Sequence, residues 1–333
     1  AILLFFISLV QTQREKSEIN IALTVKTELK SILTGATLSE ARQLDIDLPK
    51  IHLKFICEYY DCDTFDTSDN PSCYSQYEIG ETGINEQTPS QILFAPSEIT
   101  GKKILAWTLA WNVPFYVTNL LYVTGTNVKY IFVNDGDNSI RVYNEFPEKT
   151  NKFLLSADDI QYEDSEGNNN FKFIFTNIEP GSVIISEEIL DATKPENINA
   201  IKINSNLKQI NFYKIENGFF VFEDAISYLT DAEIYAAIFS DNIDFYSCNM
   251  QKSFNRLYLI TKVLVGRSNK LYNDPETPAR CKGLYDTLTN GLANIEMDSK
   301  IFSDMSIRNI NTAMNYLQNA NLGTQETSCA LIY

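Results

Sequence analysis

Two aspartates stand directly after the most strand-like segment of the chain and could bind a cation. Residues 128–133 are mostly β-branched and aromatic, and Asp135 and Asp137 follow them in the string Asn-Asp-Gly-Asp-Asn. Carboxylate oxygens are ligands that Ca²⁺ and Mg²⁺ prefer, and open α/β sheets bind ligands at this end of a strand. The string lacks the other oxygen ligands and the bidentate Glu of a calcium loop. A plain acidic turn is therefore the favoured interpretation, and a metal site at Asp135 and Asp137 is the alternative.

The cysteines predict disulfide chemistry more clearly than metal chemistry. The chain has 6 of them in two groups of three, Cys57, Cys62 and Cys73, and Cys248, Cys281 and Cys329. We expect one bond within the first group and one joining two members of the second, and because each group is odd, one bond could cross between them. A thiolate zinc site is the alternative, but no Cys-x-x-Cys occurs and His52 is the only histidine. A second acidic loop, with Asp61, Asp63, Asp66 and Asp69, reads as solvated surface.

No familiar catalytic motif occurs. The sequence contains no Gly-rich phosphate loop and no Gly-x-Ser-x-Gly nucleophile elbow. His52 lies inside an alternating apolar and polar segment, which favours a structural role. We therefore expect no catalytic residue and no cofactor, and predict that the protein is not an enzyme.

The elements that would position these residues form a mixed α/β chain. Alternation predicts a strand over 48–57, and short apolar runs predict strands over 91–95, 128–133, 171–175, 182–185 and 200–203. The pair 209–215 and 219–223 flanks Asn217-Gly218, which predicts a hairpin. Thr230 with Glu233 predicts a capping box that opens a helical region, with helices over 245–271, 279–292 and 299–318.

Large aromatic residues recur at helical spacing over 104–122. They are Trp107, Trp111, Phe115 and Tyr122. This spacing predicts a helix or partial helix with Pro114 as its break or first-turn residue. Between the strands at 91–95 and 128–133, such a helix would complete a βαβ crossover. Its aromatic face is expected to pack in the core, and a ligand-facing or partner-facing role is the alternative.

The N-terminus is a run of apolar residues without a charge. It comprises Ile2, Leu3, Leu4, Phe5, Phe6, Ile7, Leu9 and Val10. Ten residues of helix cover about 15 Å, whereas a membrane span needs about 20 residues. Three interpretations stay open: a signal-peptide remnant, half of a transmembrane helix whose other half precedes Ala1, and a processed pilin-type terminus that packs against its copies. Apolar residues then recur every three or four positions to Leu33, which predicts one continuous helix ending near Gly35.

Charge and size limit the classes of function. The chain of 333 residues carries a net charge of −16, which argues against nucleic acid as a partner because phosphate binding needs clustered Lys and Arg. Hydrophobic residues make up 44%, enough for a packed globular core. We expect an anchor and stalk helix over 1–35, a mixed α/β domain over 36–229, and a helical region over 230–333 packed on it.

Three segments resemble uncharacterised proteins of small-genome symbiotic archaea. They are the string from Ile104 to Val123 with the following strand, Phe245-Tyr-Ser-Cys-Asn-Met250, and the terminal Ser328-Cys-Ala-Leu-Ile-Tyr333. The resemblance spans most of the chain and implies a single-pass N-terminal helix, of which residues 1–10 resemble the second half, and an extracytoplasmic domain. It further implies disulfide or other roles for Cys57, Cys73, Cys248, Cys281 and Cys329. It implies no activity.

The sequence therefore predicts a non-enzymatic, membrane-anchored structural protein of the cell surface, pilin-like in its N-terminal helix. Its partners would be membrane lipid or copies of itself, bound through residues 1–33. An anchored adhesion module with Asp135 and Asp137 at its recognition edge is the second hypothesis, and a hydrolase of unknown substrate is the third.

Overall fold

A computed structural model describes residues 2–37, 43–59, 73–80, 83–88, 91–156, 161–162 and 170–333; the side chains of 2–15, 50–51, 58–59, 73–74, 161–162, 182 and 184 lie outside the description. Within these ranges the chain forms seven α-helices. They are α1 (Ile2–Thr37), α2 (Asp137–Glu145), α3 (Glu187–Ala192), α4 (Asp231–Phe239), α5 (Ile243–Asn273), α6 (Ala279–Asp298) and α7 (Asp304–Glu326).

The first sheet is built from the N-terminal strands. They are β1 (Gln43–Tyr59), β2 (Cys73–Ile79), β3 (Ile84–Gln87), β4 (Leu93–Phe94), β5 (Glu98–Asn112) and β6 (Tyr116–Gly125), in the order β3-β2-β1-β5-β6-β4. All neighbours are antiparallel except β4 and β6. The register of β1 against β5 shifts between Asp47 and Ile51, which is where Pro49 interrupts the ladder because it has no N–H to donate.

The second sheet is mixed. Its strands are β7 (Val128–Asn134), β8 (Lys152–Ser156), β10 (Asn170–Phe175), β12 (Ile198–Asn204), β13 (Gln209–Glu216) and β14 (Phe219–Ser227), in the order β14-β13-β12-β10-β7-β8. The four strands from β12 to β8 are parallel, and β13 and β14 are antiparallel additions. Two short strands, β9 (Gln161–Tyr162) and β11 (Ile184–Ile185), pair separately.

The elements stack in layers. Helix α1 covers one face of the first sheet. The other face of that sheet, helix α4 and one face of the second sheet share the largest core, which continues into α5, α6 and α7. The opposite face of the second sheet packs with α3. Every residue of α4 except Asp231 is buried, as expected for a helix enclosed on all sides.

Many predicted elements are confirmed. Strands occupy the predicted segments at 48–57, 128–133, 171–175 and 200–203. The predicted hairpin joins β13 to β14, and Asn217 and Gly218 have φ of 52° and 82°, the left-handed values that a type I′ turn needs. The capping box of Thr230 and Glu233 opens α4. Helices α5, α6 and α7 lie where the periodicity predicted them, and α1 continues to Thr37, two residues beyond Gly35.

The helix predicted over 104–122 is wrong. This segment is the β5–β6 hairpin, with Pro114 in the connection between the strands. The predicted crossover between 91–95 and 128–133 therefore does not exist. A βαβ unit does occur, but it begins at β7, the strand where the predicted unit would have ended. There α2 connects the parallel strands β7 and β8.

The class predicted from the sequence, mixed α and β, is confirmed by the two six-stranded sheets and the helices around them. Among the described residues, no helix is both long enough and apolar enough to cross a bilayer.

Candidate functional site

Helix α1 packs on the molecule through one narrow stripe. Its buried residues recur at three- and four-residue steps and are Ala22, Val25, Leu29, Leu33 and Ala36. They share a core with residues of β1, β2, β5 and β6. Removal of this stripe from water supplies the main attraction between helix and sheet.

Polar contacts fix the position of α1 along the sheet. Lys26 and Lys30 contact the Glu86 carboxylate of β3 at 2.9 Å and 2.5 Å, and these hydrogen bonds lower the pKa of Glu86. The Tyr77 hydroxyl donates to the Lys26 carbonyl at 3.3 Å. Further along, Gln91 Nε2 donates to Thr34 Oγ1 at 3.1 Å. The helix therefore has one register on the sheet.

Three apolar side chains of α1 are open to solvent at the start of the stripe, among exposed polar residues. Ile19, Ile21 and Leu23 are 42%, 40% and 47% exposed. A groove of about 510 Å³ includes Ile21 and is otherwise lined by Lys16, Ser17, Asn20 and Thr24 of α1 and by Pro49 of β1. The predicted assembly residues, from Ile2 to Val10, lie in the same continuous helix, but their side chains are outside the described part of the chain.

Two disulfides connect distant parts of the fold. Cys57 of β1 is bonded to Cys248 of α5 across 191 residues, which is a bond between the two predicted groups. Cys281 of α6 is bonded to Cys329 across 48 residues, which confirms the predicted bond within the second group. The expected bond within the first group falls on Cys62 and on the Cys73 side chain, both outside the described residues. Such bonds are typical of an oxidising compartment such as the cell exterior.

One turn after Cys248, the amine of Lys252 is buried against the first sheet. Its Nζ donates to Ser75 Oγ at 2.8 Å and to the carbonyls of Thr88 and Gln91 at 2.9 Å and 2.5 Å. Burial lowers the pKa of Lys252 to about 7. A lysine beside a serine hydroxyl also occurs in Ser-Lys hydrolases. Here the oxygens of all three partners accept hydrogen bonds from the amine, and Ser75 is only 2% exposed. These contacts therefore support a structural role, in which Lys252 connects α5 to the first sheet, over a catalytic one.

Asp135 is engaged by the neighbouring loop instead of facing an open site. Its carboxylate accepts from the backbone N–H groups of Thr176, Asn177 and Ile178 at 3.1 Å, 2.6 Å and 3.0 Å, and from the Thr176 hydroxyl. Burial raises its pKa, but these hydrogen bonds outweigh burial and the net pKa is lowered. Asp137 is exposed in the first turn of α2. The described residues contain no cluster of three His, Cys, Asp or Glu side chains suited to a metal ion.

The remaining candidate residues from the sequence, His52 and the aromatic residues, have neighbours that indicate structural roles. The His52 Nε2 atom lies 3.4 Å from the Glu98 carboxylate at the surface of the first sheet. Trp107 is buried and its ring centroid lies 5.1 Å from those of Tyr122 and Tyr235. Trp111 is buried beside Phe254 of α5. The aromatic string thus belongs to the core, as expected, although on strands. The acidic loop of Asp61, Asp63, Asp66 and Asp69 lies outside the described residues.

A second buried amine, which the sequence did not single out, lies between the sheets. Lys172 of β10 donates to the Ser240 carbonyl at 2.7 Å. The next residue, Asp241, accepts from the N–H and the hydroxyl of Ser97, both at 2.6 Å. The Asn199 side chain of β12 hydrogen-bonds to the same carboxyl group. Burial lowers the pKa of Lys172 to about 7 and raises the pKa of Asp241.

Comparison with known proteins finds no matching family model, no matching curated protein and no matching solved structure. The function is therefore argued from the geometry alone.

Proposed function

We propose that this protein is a structural subunit of the cell surface that assembles through helix α1, either with copies of itself in a filament or with membrane lipid as an anchor. The observation that carries the proposal is the exposure of Ile19, Ile21 and Leu23 on α1, at the start of the stripe that binds this helix to the domain. No enzymatic activity is part of the proposal.

Helix α1 is longer than its buried stripe. A helix of 36 residues is about 54 Å long, whereas the buried stripe from Ala22 to Ala36 covers about 21 Å at 1.5 Å per residue. N-terminal to the stripe, the helix has the apolar run from Ile2 to Val10, the polar segment from Gln11 to Glu18, and the exposed Ile19 and Ile21. Clustered apolar side chains that are exposed to solvent are typical of a site that binds protein or lipid.

The attachment of α1 suits a helix that must transmit force to its domain. The Lys26 and Lys30 contacts to Glu86 and the buried stripe hold the helix on the first sheet. The bond between Cys57 and Cys248 then ties that sheet to α5. A pull on α1 would therefore reach both the sheet and the helical region.

Exposed residues of α1 provide a test that leaves the core intact. In the double variant Ile21→Glu and Leu23→Glu, charge replaces apolar surface, and we expect the purified full-length chain to lose self-association in analytical ultracentrifugation. The matched control is Leu259→Glu with Val263→Glu on α5, where the side chains are 56% and 70% exposed. Equal self-association of the two double variants would contradict the filament version of the proposal.

Vesicle flotation separates the two versions of the proposal. An anchor predicts that the full-length chain floats with lipid vesicles, and a filament subunit predicts assemblies in their absence. The adhesion alternative relied on Asp135 and Asp137, and the Asp135 carboxylate is occupied by its own loop. That alternative therefore has no observation in its favour.

A further inference from the structure

The buried Lys172 and Asn199, together with the partly exposed Asp241, have the components of a self-forming covalent cross-link. Lys172 and Asn199 are direct partners in the register of the parallel strands β10 and β12, and neighbouring strands lie about 4.8 Å apart. Both side chains are buried, with 3% and 6% exposure. A lysine and an asparagine side chain thus start from adjacent positions on paired strands, both away from bulk water.

The two side chains also share a face of the sheet. Their neighbours Phe171, Phe173, Ile198 and Ala200 belong to the core on the α3 side. Ile174 and Ile201, two residues further along each strand, belong to the core shared with α4. Because side chains alternate along a strand, Lys172 and Asn199 both point towards α4. Consistently, Lys172 contacts Ser240 and Asn199 contacts Asp241 in the segment that follows α4.

One atom of the cluster lacks a partner. Asn199 Oδ1 is buried and accepts no hydrogen bond from the described residues, which is costly for a carbonyl oxygen. A protonated Asp241 would supply the donor: one carboxyl oxygen accepts from Ser97, and the other could donate to Oδ1 after a half-turn of the amide. That hydrogen bond would polarise the Asn199 carbonyl group.

We propose that Lys172 and Asn199 form an intramolecular isopeptide bond, with Asp241 as the proton carrier. The neutral Lys172 Nζ attacks Asn199 Cγ, and a C–N bond forms while protonated Asp241 transfers its proton to Oδ1. The Asp241 carboxylate then takes a proton from Nζ and passes it to Nδ2. The Cγ–Nδ2 bond breaks, ammonia leaves, Oδ1 returns its proton to Asp241, and the amide Nζ–Cγ remains. The step needs no oxidant, reductant or other reactant.

The surroundings favour each requirement of this step. Burial that lowers the pKa of Lys172 to about 7 leaves a large share of the amine neutral, and therefore nucleophilic, at neutral pH and above. Burial that raises the pKa of Asp241 favours its protonated form. The strand pairing holds the reacting groups together in the folded chain, which replaces a collision between separate molecules by an internal step. The inference is independent of the proposed function.

Mass spectrometry of the purified wild-type chain tests the bond directly. After reduction of the disulfides, we expect the denatured chain to be lighter than its sequence mass by one ammonia molecule. Tryptic digestion should yield a branched peptide that joins Lys172 to Asn199, with no cleavage after Lys172. A full sequence mass, or ammonia loss located at any other residue, would overturn the proposal whatever the variants do.

Three variants test the roles. Asp241→Asn should restore the full mass, since an amide cannot carry the proton, and a cross-link that still formed would contradict the assignment of Asp241. Asn199→Asp should lose water instead of ammonia, because the leaving group changes. Lys202→Arg is the matched control, because Lys202 lies on β12 with Asn199, and this variant should keep the ammonia loss.

Discussion

At the residue scale, Lys252 makes the stability of the fold depend on pH. Burial of the amine lowers the pKa of Lys252 in the folded chain from the ordinary value of 10.5 to about 7. Between these values the unfolded chain binds more protons, so the free energy of unfolding rises as pH rises. We expect Lys252→Met to reduce this rise by at most about 1.4 kcal/mol per pH unit.

Urea unfolding of both chains between pH 7 and 9.5 measures the difference. Lys270→Met, which removes an exposed amine from the same helix, is the matched control. If the parent chain and Lys252→Met showed parallel pH dependence, the amine would be protonated in both states and the assigned desolvation would be wrong.

Asp135 and Asp137 should respond differently to the same substitution. Asp135→Asn removes the charge that accepts from the Thr176, Asn177 and Ile178 amides, and we expect a loss of about 1–3 kcal/mol of unfolding free energy. Asp137→Asn, at an exposed position, should change it by less than about 0.5 kcal/mol. Thermal unfolding with and without Ca²⁺ checks both variants. Stabilisation of the parent by Ca²⁺ that Asp135→Asn abolishes would instead favour the metal-site hypothesis.

The buried amines could not be identified from the sequence. Lys252 and Ser75 are separated by 177 residues, and Lys172 and Ser240 by 68. Each lysine stands in a pattern that allows a solvent-facing side chain. These two lysines differ from exposed lysines only in the folded chain, where acceptor oxygens from distant segments surround their amines. The periodicity of the sequence does not show which segments come together.

At the element scale, the β5–β6 hairpin shows why periodicity predicted the wrong structure. Trp107 and Trp111 are four residues apart, a spacing that fits one face of a helix and also one face of a strand. The residues between them do not alternate between polar and apolar, because the first sheet is covered by α1 on one face and by α4 on the other. Strands buried on both faces read as continuous apolar runs. The segment Val128–Asn134 is equally buried, but the sequence predicts it correctly as a strand because it is short and ends in a turn sequence.

Close packing of α6 against α7 gives a prediction for two glycines of one helix. A Cβ at Gly291 would lie 2.8 Å from Leu317 Cδ2 of α7, whereas a Cβ at Gly283 would meet nothing within 4 Å. We expect Gly283→Ala to stabilise the chain by about 0.5–1 kcal/mol through helix propensity. Gly291→Ala should stabilise less or destabilise, because Leu317 must move. Equal stabilisation in thermal unfolding would show that α6 and α7 are further apart than described.

At the scale of the whole molecule, the disulfides and the layers bind separate parts of the chain into one core. The bond between Cys57 and Cys248 joins the first sheet to the helical region, and the core shared by both sheets continues across residue 230. The number of cysteines predicted that one bond could cross between the groups. The partners themselves depended on the packing of α5 against β1, which the sequence pattern does not reveal.

The central claim is that α1 serves two roles, with its second half in the domain and its first half in an assembly. Electron microscopy of native material from the source cells, with the chain located by antibody labelling, tests it most directly. The account predicts filaments, a lattice or membrane-bound particles in which the α1 helices lie in the shared interior or in lipid. Dispersed monomers with α1 exposed to solvent along its whole first half would contradict it.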